Sequence, residues 1–521
     1  MTNELKRKIG QMINAGFPSP YIDDQARRLV KDFYVGNFVL FGRNFKDSVQ
    51  ACELCKDVTE LVMKNTDGIP PFIGLDQEGG AVSRIYDGAT LIPGTMATAA
   101  SGIEDAYMLG NNMGRMLRAM GLTLNDAPVL DVNVEPKNPI IGARAFSDDV
   151  ERVTKLGVSM MNGMMDGGTI AAIKHYPGHG NTISDSHLAN PVNNTPRSVL
   201  EETEWVPFKE AFNSGADALM TAHVIYTDVD TEPATLSYKI MTEILRGEQG
   251  FQGVVLTDCM EMNAIKVTYG FAEGAVRAIE AGCDILTFSH TYEGVKEAVE
   301  GIYAAIESGR LTEERINLSY NRIMRVKEKY GLVGEQNIDS EYAKSLVSDE
   351  EMINYHRTIS QQSITLMSES EKGIDVLDAG RIKFFAPESI ALVGAEDIDK
   401  ERISIARDAQ KQYENCKGVT IPLNAVDEET IKEIEADDYD VAILALYNAR
   451  FRENQVEILR KLEALDKPLI VVLMGAPYDF PLIKKADAVV CAYEYTYLGV
   501  KSVLDAMTSR VFPGKCPVKL S

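Results

Sequence analysis

The sequence predicts an α/β protein: a (β/α)8 barrel over residues 1–335, a linker with one helix over 336–385, and a smaller doubly wound α/β sandwich over 386–521. Three observations carry that expectation. Over roughly the first 330 residues, short β-branched apolar runs alternate with longer stretches of helical periodicity. Polar residues stand directly after these runs, one after another. The beat then stops near Leu332 and resumes as a second, shorter series.

Seven runs read as barrel strands: Val35–Phe41, Pro71–Leu75, Leu122–Leu130, Ile170–Ile173, Ala218–Ala222, Gly253–Thr257 and Cys283–Phe288. The eighth is either irregular or hidden. The polar residues at their ends are Asp76, Asp131, Lys174 with His175, His223, Asp258, and Ser289 with His290. A doubly wound sheet concentrates function at one switch point, whereas a barrel aims every strand end at one pocket. So many polar strand ends therefore favour the barrel. Further on, Met352–Met367 reads as an amphipathic helix in polar linker. Ile390–Gly394, Val441–Leu446, Pro468–Leu473 and Ala488–Ala492 read as strands, with helical Glu428–Asp437 and Gln455–Leu465 among them.

Composition narrows the partners. Lys plus Arg number 53 against 77 Asp plus Glu, a formal charge of −24. Such a surface repels phosphate backbones and anionic lipid, so neither nucleic acid nor membrane is expected as a partner. No run of 18 apolar residues appears, and the first residues lack the apolar core of a secretory signal. Seven cysteines, an odd number mostly in apolar segments, fit buried thiols in a reducing cytoplasm. Cys52 and Cys55 form a single C-x-x-C pair, a weak metal signal that reads as structural. Oligomeric state cannot be read from the chain, and no cofactor motif is present.

Three of the six histidines fall in one stretch, Lys174-His175-Tyr176-Pro177-Gly178-His179-Gly180 followed by Asp185-Ser186-His187. His175 and His179 have the spacing of a helical zinc site, but Pro177 and Gly178 between them break any helix. The segment is a loop, and a helical metal site is disfavoured. Asp185 and His187 stand two apart, close enough for a carboxylate to orient an imidazole as a general acid/base. Gly178, Gly180 and the polar Asn-Thr-Ile-Ser insert would let the loop move as a lid. Asp258 ends an apolar strand and serves either as nucleophile or electrostatic stabiliser, or as a cap for the next helix. Asp76 begins Asp76-Gln-Glu78-Gly-Gly80, whose glycine pair permits a tight turn, with Arg84 close behind. Arg144 lies in a long loop after the third run, where it either clamps a ligand oxygen or pairs with a surface acid.

Together, Asp76-Gln-Glu-Gly-Gly, the Lys174–Gly180 loop with Asp185-Ser-His187, and Thr257-Asp258-Cys-Met-Glu-Met resemble glycoside hydrolase family 3, and more narrowly its β-N-acetylglucosaminidase branch. The resemblance runs over essentially the whole chain, to the Pro-Gly-Lys-x-Pro-Val ending. It implies a retaining exo-β-N-acetylglucosaminidase acting on terminal N-acetylglucosamine of cell-wall or chitin-type glycosides, without cofactor or metal. Asp258 would be the nucleophile, His187 the acid/base and Asp185 its partner. Asp76, Arg84, Arg144, Lys174 and His175 would hold the sugar. A histidine acid/base replaces the second carboxylate of the usual retaining pair. Being neutral, it would admit phosphate in place of water, so a phosphorylase on the same site stays open. So do a non-catalytic sugar-binding barrel and a metal-dependent hydrolase. Ala81, Arg144-Ala-Phe-Ser147 and Tyr176 depart from the family pattern without removing a catalytic group.

Overall fold

The computed structural model describes residues 1–86, 90–183, 191–334, 338–388, 403–423 and 425–520. Eight parallel strands close a barrel: β1 (Ile13–Ala15), β2 (Asn37–Leu40), β3 (Phe72–Leu75), β4 (Leu124–Asn125), β5 (Ile170–Tyr176), β6 (Ala218–Thr221), β7 (Val254–Cys259) and β8 (Ile285–Phe288). Asn14 on β1 pairs with Asn37 on β2, and Ile13 with Leu286 on β8, which shuts the ring. The strand hidden from sequence reading is β1. It is three residues long with Asn14 at its centre, too short to show an apolar run.

The third run is much shorter than expected. Its ladder ends at Asn125 because Asp126-Ala-Pro128 follows, and proline has no N–H to give. The chain rejoins β5 only through Val129 opposite Lys174, where Leu130 N donates to Lys174 O (2.7 Å) and Lys174 N to Pro128 O (3.1 Å).

The second sheet has six strands: β9 (Thr365–Glu369), β10 (Ile382–Pro387), β11 (Cys416–Ile421), β12 (Val441–Leu446), β13 (Leu469–Leu473) and β14 (Ala488–Cys491). Their order is β9-β14-β13-β12-β10-β11, with only β9 antiparallel to its neighbour. Helices flank the sheet, and both faces carry apolar clusters, as a doubly wound sandwich requires.

Two linker expectations are corrected. β9 and the start of β10, Ile382–Phe385, fall inside the stretch 336–385 and belong to the second sheet. The helix expected over Met352–Met367 spans Glu350–Ser363 instead, because β-branched Ile364 and Thr365 leave it to enter the sheet. The strand expected at Ile390–Gly394 lies outside the described residues.

Barrel and sandwich share a core. Met96, Ala97 and Ala100, on a short helix after β3, pack against Phe385, Leu444, Leu446 and Val471 of the second sheet. The loops following β3 and β4 are thereby pressed between the barrel mouth and the second domain. Among the described residues, no helix is long and apolar enough to cross a membrane.

Candidate active site

A cavity of about 430 Å³ opens at the C-terminal end of the barrel strands. Its lining includes Asp76, Arg84, Arg144, Lys174, His175 and Asp258, which brings six of the eight residues singled out from sequence into one place. The other two, Asp185 and His187, lie outside the described residues.

The inner wall is an ion network. Lys174, fully buried at the end of β5, donates to Asp76 Oδ1 (2.6 Å) and pairs with Glu78 Oε1 (2.6 Å). Arg84 Nη2 reaches Asp76 Oδ2 at 3.0 Å. Arg144 grips Glu78 with both arms of its fork, Nε to Oε2 at 2.9 Å and Nη2 to Oε1 at 2.7 Å. Burial alone would raise the two carboxyls. Lys174 and Arg84 override it at Asp76, holding that group below the usual range, and Arg144 with Lys174 hold Glu78 down at about 2. The network is thus fully ionised at neutral pH, with donors and acceptors fixed in direction before any ligand arrives.

The loop after β3 is shaped by its glycine pair. Gly79 and Gly80 have φ of +93° and +59°, and a Cβ on Gly80 would sit 2.8 Å from the Gly94 Cα. The tight turn read from sequence is present, and it carries Glu78 back under Arg144.

His175 is held edge-on. Its Nδ1 lies 2.7 Å from Asp131 Oδ2, and its Nε2 lies 3.4 Å from Arg144 Nη2. Asp131 also accepts from His179 N (2.6 Å), so this buried carboxylate orients two links of the loop rather than facing the cavity. His179 bonds Thr182 through Nδ1 (2.9 Å), and burial lowers its pKa to about 4, which keeps the ring neutral. Gly178 and Gly180 do not loosen this loop. Both are buried, and a Cβ on Gly180 would lie 1.8 Å from Val132 O, so only glycine lets the chains meet. Among the described residues, no group of three or more His, Cys, Asp or Glu could hold a metal ion.

Asp258 enters the cavity from the end of β7, its Oδ1 accepting from the following Cys259 N (2.7 Å). His223 does not line the cavity. It is fully buried, bridging Thr235 Oγ1 (2.7 Å) and the Cys259 carbonyl (3.1 Å) beside the aspartate. Glu261 secures the rim by accepting from His290 N (2.7 Å) and from Thr291 Oγ1 (2.6 Å). Cys52 and Cys55 are buried on the helix Ser48–Asn65, far in sequence from these groups, and burial pushes both thiols up.

The second domain buttresses the outer side of the same wall. Asn133 donates to Tyr478 Oη (2.9 Å) and accepts from Gly142 N (3.1 Å), which opens the turn Gly142–Arg144. Glu494 accepts from Gly94 N (2.9 Å). Glu78, Arg144, Tyr447, Arg450 and Glu494 enclose a small space of about 50 Å³ at this seam. Asp126, Tyr478 and Glu494 escaped the sequence reading, while Glu78 and Asp131 were named there only as a motif member and a strand-end residue, without a role. Glu78 and Asp126 carried a signal: one sits two residues after Asp76, the other interrupts an apolar run.

Residues 4–326 match the glycosyl hydrolase family 3 N-terminal domain. The chain belongs to that family. It is a glycoside hydrolase, as the resemblance of its motifs implied. It is 37% identical over 285 residues to a β-hexosaminidase of Tolumonas auensis, covering 54% of this chain and 83% of the relative. A β-hexosaminidase of Thiobacillus denitrificans is 38% identical over 270 residues, 50% of this chain and 73% of that one. The fold matches a family 3 β-N-acetylglucosaminidase from Paenibacillus sp. with a TM-score of 0.92 at 34% identity, covering 100% of this chain and 99% of the other. That match spans both domains of this glycosidase.

Proposed function

We propose that this glycosidase is a retaining, exo-acting β-N-acetylglucosaminidase that releases terminal β-linked N-acetylglucosamine from cell-wall or chitin-type glycosides. Both substrate classes present the same terminal unit. The observation that carries the reading is that Asp258 shares one cavity with Asp76, Arg84, Arg144 and Lys174, whose charges are paired with one another and with Glu78 behind them. These paired charges offer directed hydrogen bonds to the hydroxyls of a neutral sugar without net repulsion. The names of the relatives, β-hexosaminidase and β-N-acetylglucosaminidase, support the acetamido sugar.

In the proposed reaction, an Asp258 carboxylate oxygen bonds to the anomeric carbon as the glycosidic C–O bond breaks. The leaving oxygen takes a proton from His187, whose imidazolium Asp185 stabilises. Water then gives its proton back to His187 and its oxygen to the anomeric carbon, freeing Asp258 with net retention. The roles of His187 and Asp185 rest on the family resemblance.

Hydrolysis of an aryl N-acetyl-β-glucosaminide beside the aryl β-glucoside, each with and without phosphate, tests the reading. The expected result is cleavage of the acetamido sugar to free sugar in both buffers. Preference for the plain glucoside would refute the acetamido specificity, and sugar phosphate as product would make the enzyme a phosphorylase.

A further inference from the structure

One carboxyl in the pocket has no assigned part. Asp126 follows β4 and lines the active-site cavity, yet it is 1% exposed and its Oδ1 has no hydrogen-bond partner among the described residues. Native interiors rarely leave such a group unmet, and a bound molecule is a common reason. Its backbone is held firmly. Asp126 N donates to Leu75 O (2.8 Å), and the neighbouring Asn125 side chain both accepts from Gln77 N and donates to Gln77 O, each at 2.9 Å. The backbone that carries the carboxyl is thus fixed at the cavity wall, and Oδ1 stands buried there without a partner among the described residues.

Its surroundings define what it can bind. Asp76 and Asp258 face it with negative charge, Lys174 and Arg84 with positive, so neither a cation nor an anion is strongly favoured. Burial first, then Asp76 and Asp258, push its pKa well above the ordinary carboxylate value. Charged or protonated, the carboxyl can accept from a sugar hydroxyl, and when protonated it can also donate to one.

We propose that Asp126 is a sugar-contacting residue of this pocket, its carboxyl bonding one ring hydroxyl of the bound substrate. The proposal rests on the pocket being the sugar site, and extends it by a specificity contact outside the Asp76–Arg144 network. It predicts that one hydroxyl of the substrate is read at Asp126 and lost with it.

The test is kcat/KM for the parent, Asp126→Asn and Asp126→Leu on an aryl N-acetyl-β-glucosaminide and its 3-, 4- and 6-deoxy analogues. Asp126→Leu should lose about 10- to 100-fold on the full sugar, while Asp126→Asn, which keeps a donor and an acceptor, should stay within about 3-fold. The parent should lose heavily on one deoxy analogue, and on that analogue alone Asp126→Leu should lose little more. Equal sensitivity of the parent and Asp126→Leu to all three deletions would overturn the contact. So would a Leu variant as active as the parent, or one altered only in the acidic limb of its pH profile, which would mean that Asp126 serves Asp258 instead. If the parent prefers a plain glucoside, the same deoxy series on that sugar still decides the role of Asp126, so the acetamido reading can fail separately.

Discussion

Replacing Glu78 by glutamine removes one negative charge from the pocket wall while keeping its shape. The carboxylate meets Arg144 at 2.7 and 2.9 Å and Lys174 at 2.6 Å, and all three side chains are at most 9% exposed. In the variant two buried cations, together with Arg84, would share Asp76 alone. The depression of the Glu78 carboxyl from an ordinary 4.5 to about 2 corresponds to about 3 kcal/mol, at about 1.4 kcal/mol per tenfold. Removing one partner of a buried ion pair costs about 3–5 kcal/mol, the same range.

The sign with pH follows from linkage. A carboxyl whose folded pKa lies below its unfolded value stabilises above about 4.5, and that contribution fades as pH falls toward 2. Urea unfolding followed by the fluorescence of Trp205, the single tryptophan and a buried barrel residue, isolates the domain concerned. The parent should exceed Glu78→Gln by about 3 kcal/mol at pH 7, with the gap narrowing steadily below pH 4.5. A gap under about 1 kcal/mol at pH 7, or one unchanged on acidification, would refute the argument that Glu78 neutralises the wall.

Two further outcomes follow from the domain seam. Burial raises Glu494 to about 7, so the stability it allows is full below about 4.5 and is lost as pH rises through 7. Glu494→Gln should therefore hold its melting temperature between pH 5 and 8.5 better than the parent, by up to about 3 kcal/mol of stability at the alkaline end; parallel declines would count against it. Tyr478→Phe removes the hydroxyl that meets Asn133 and should raise KM about 3- to 10-fold with little change in melting temperature. Combined with Arg144→Lys the losses should be less than additive, and strict additivity would disconnect Tyr478 from the Arg144 turn.

The barrel was readable because parallel buried strands leave near-continuous apolar runs, and because the fold collects strand ends at one mouth. What escaped was short or broken. β1 contributes only Ile13-Asn-Ala15, and β4 is cut at Asn125 by the chain leading to Pro128. β9 and the start of β10 read as linker from sequence because Thr365–Glu369 is a half-exposed edge strand and Lys383 stands second in Ile382–Pro387. That lysine is buried, paired with Glu433 and Asp438, a satisfaction that only the folded chain reveals.

Asp76, Arg84, Arg144, Lys174 and His175, each legible in the sequence at or near a strand end or in a loop, converge on one cavity. The roles of their partners were not legible. Glu78 is buried between two cations, Asp131 orients His175 from behind, and Tyr478 and Glu494 arrive from the second domain more than 300 residues away in sequence. Pairings across that distance leave no local pattern.

The proposed chemistry turns on Asp258 as a covalent nucleophile. Incubation with a slowly turned-over 5-fluoro N-acetyl-β-glucosaminyl fluoride, followed by peptide mass mapping, addresses it most directly. One sugar should be found attached per chain, on the peptide bearing Asp258, and Asp258→Ala should take up none. A label elsewhere, or turnover without any adduct and with an inverted anomer as first product, would contradict the mechanism.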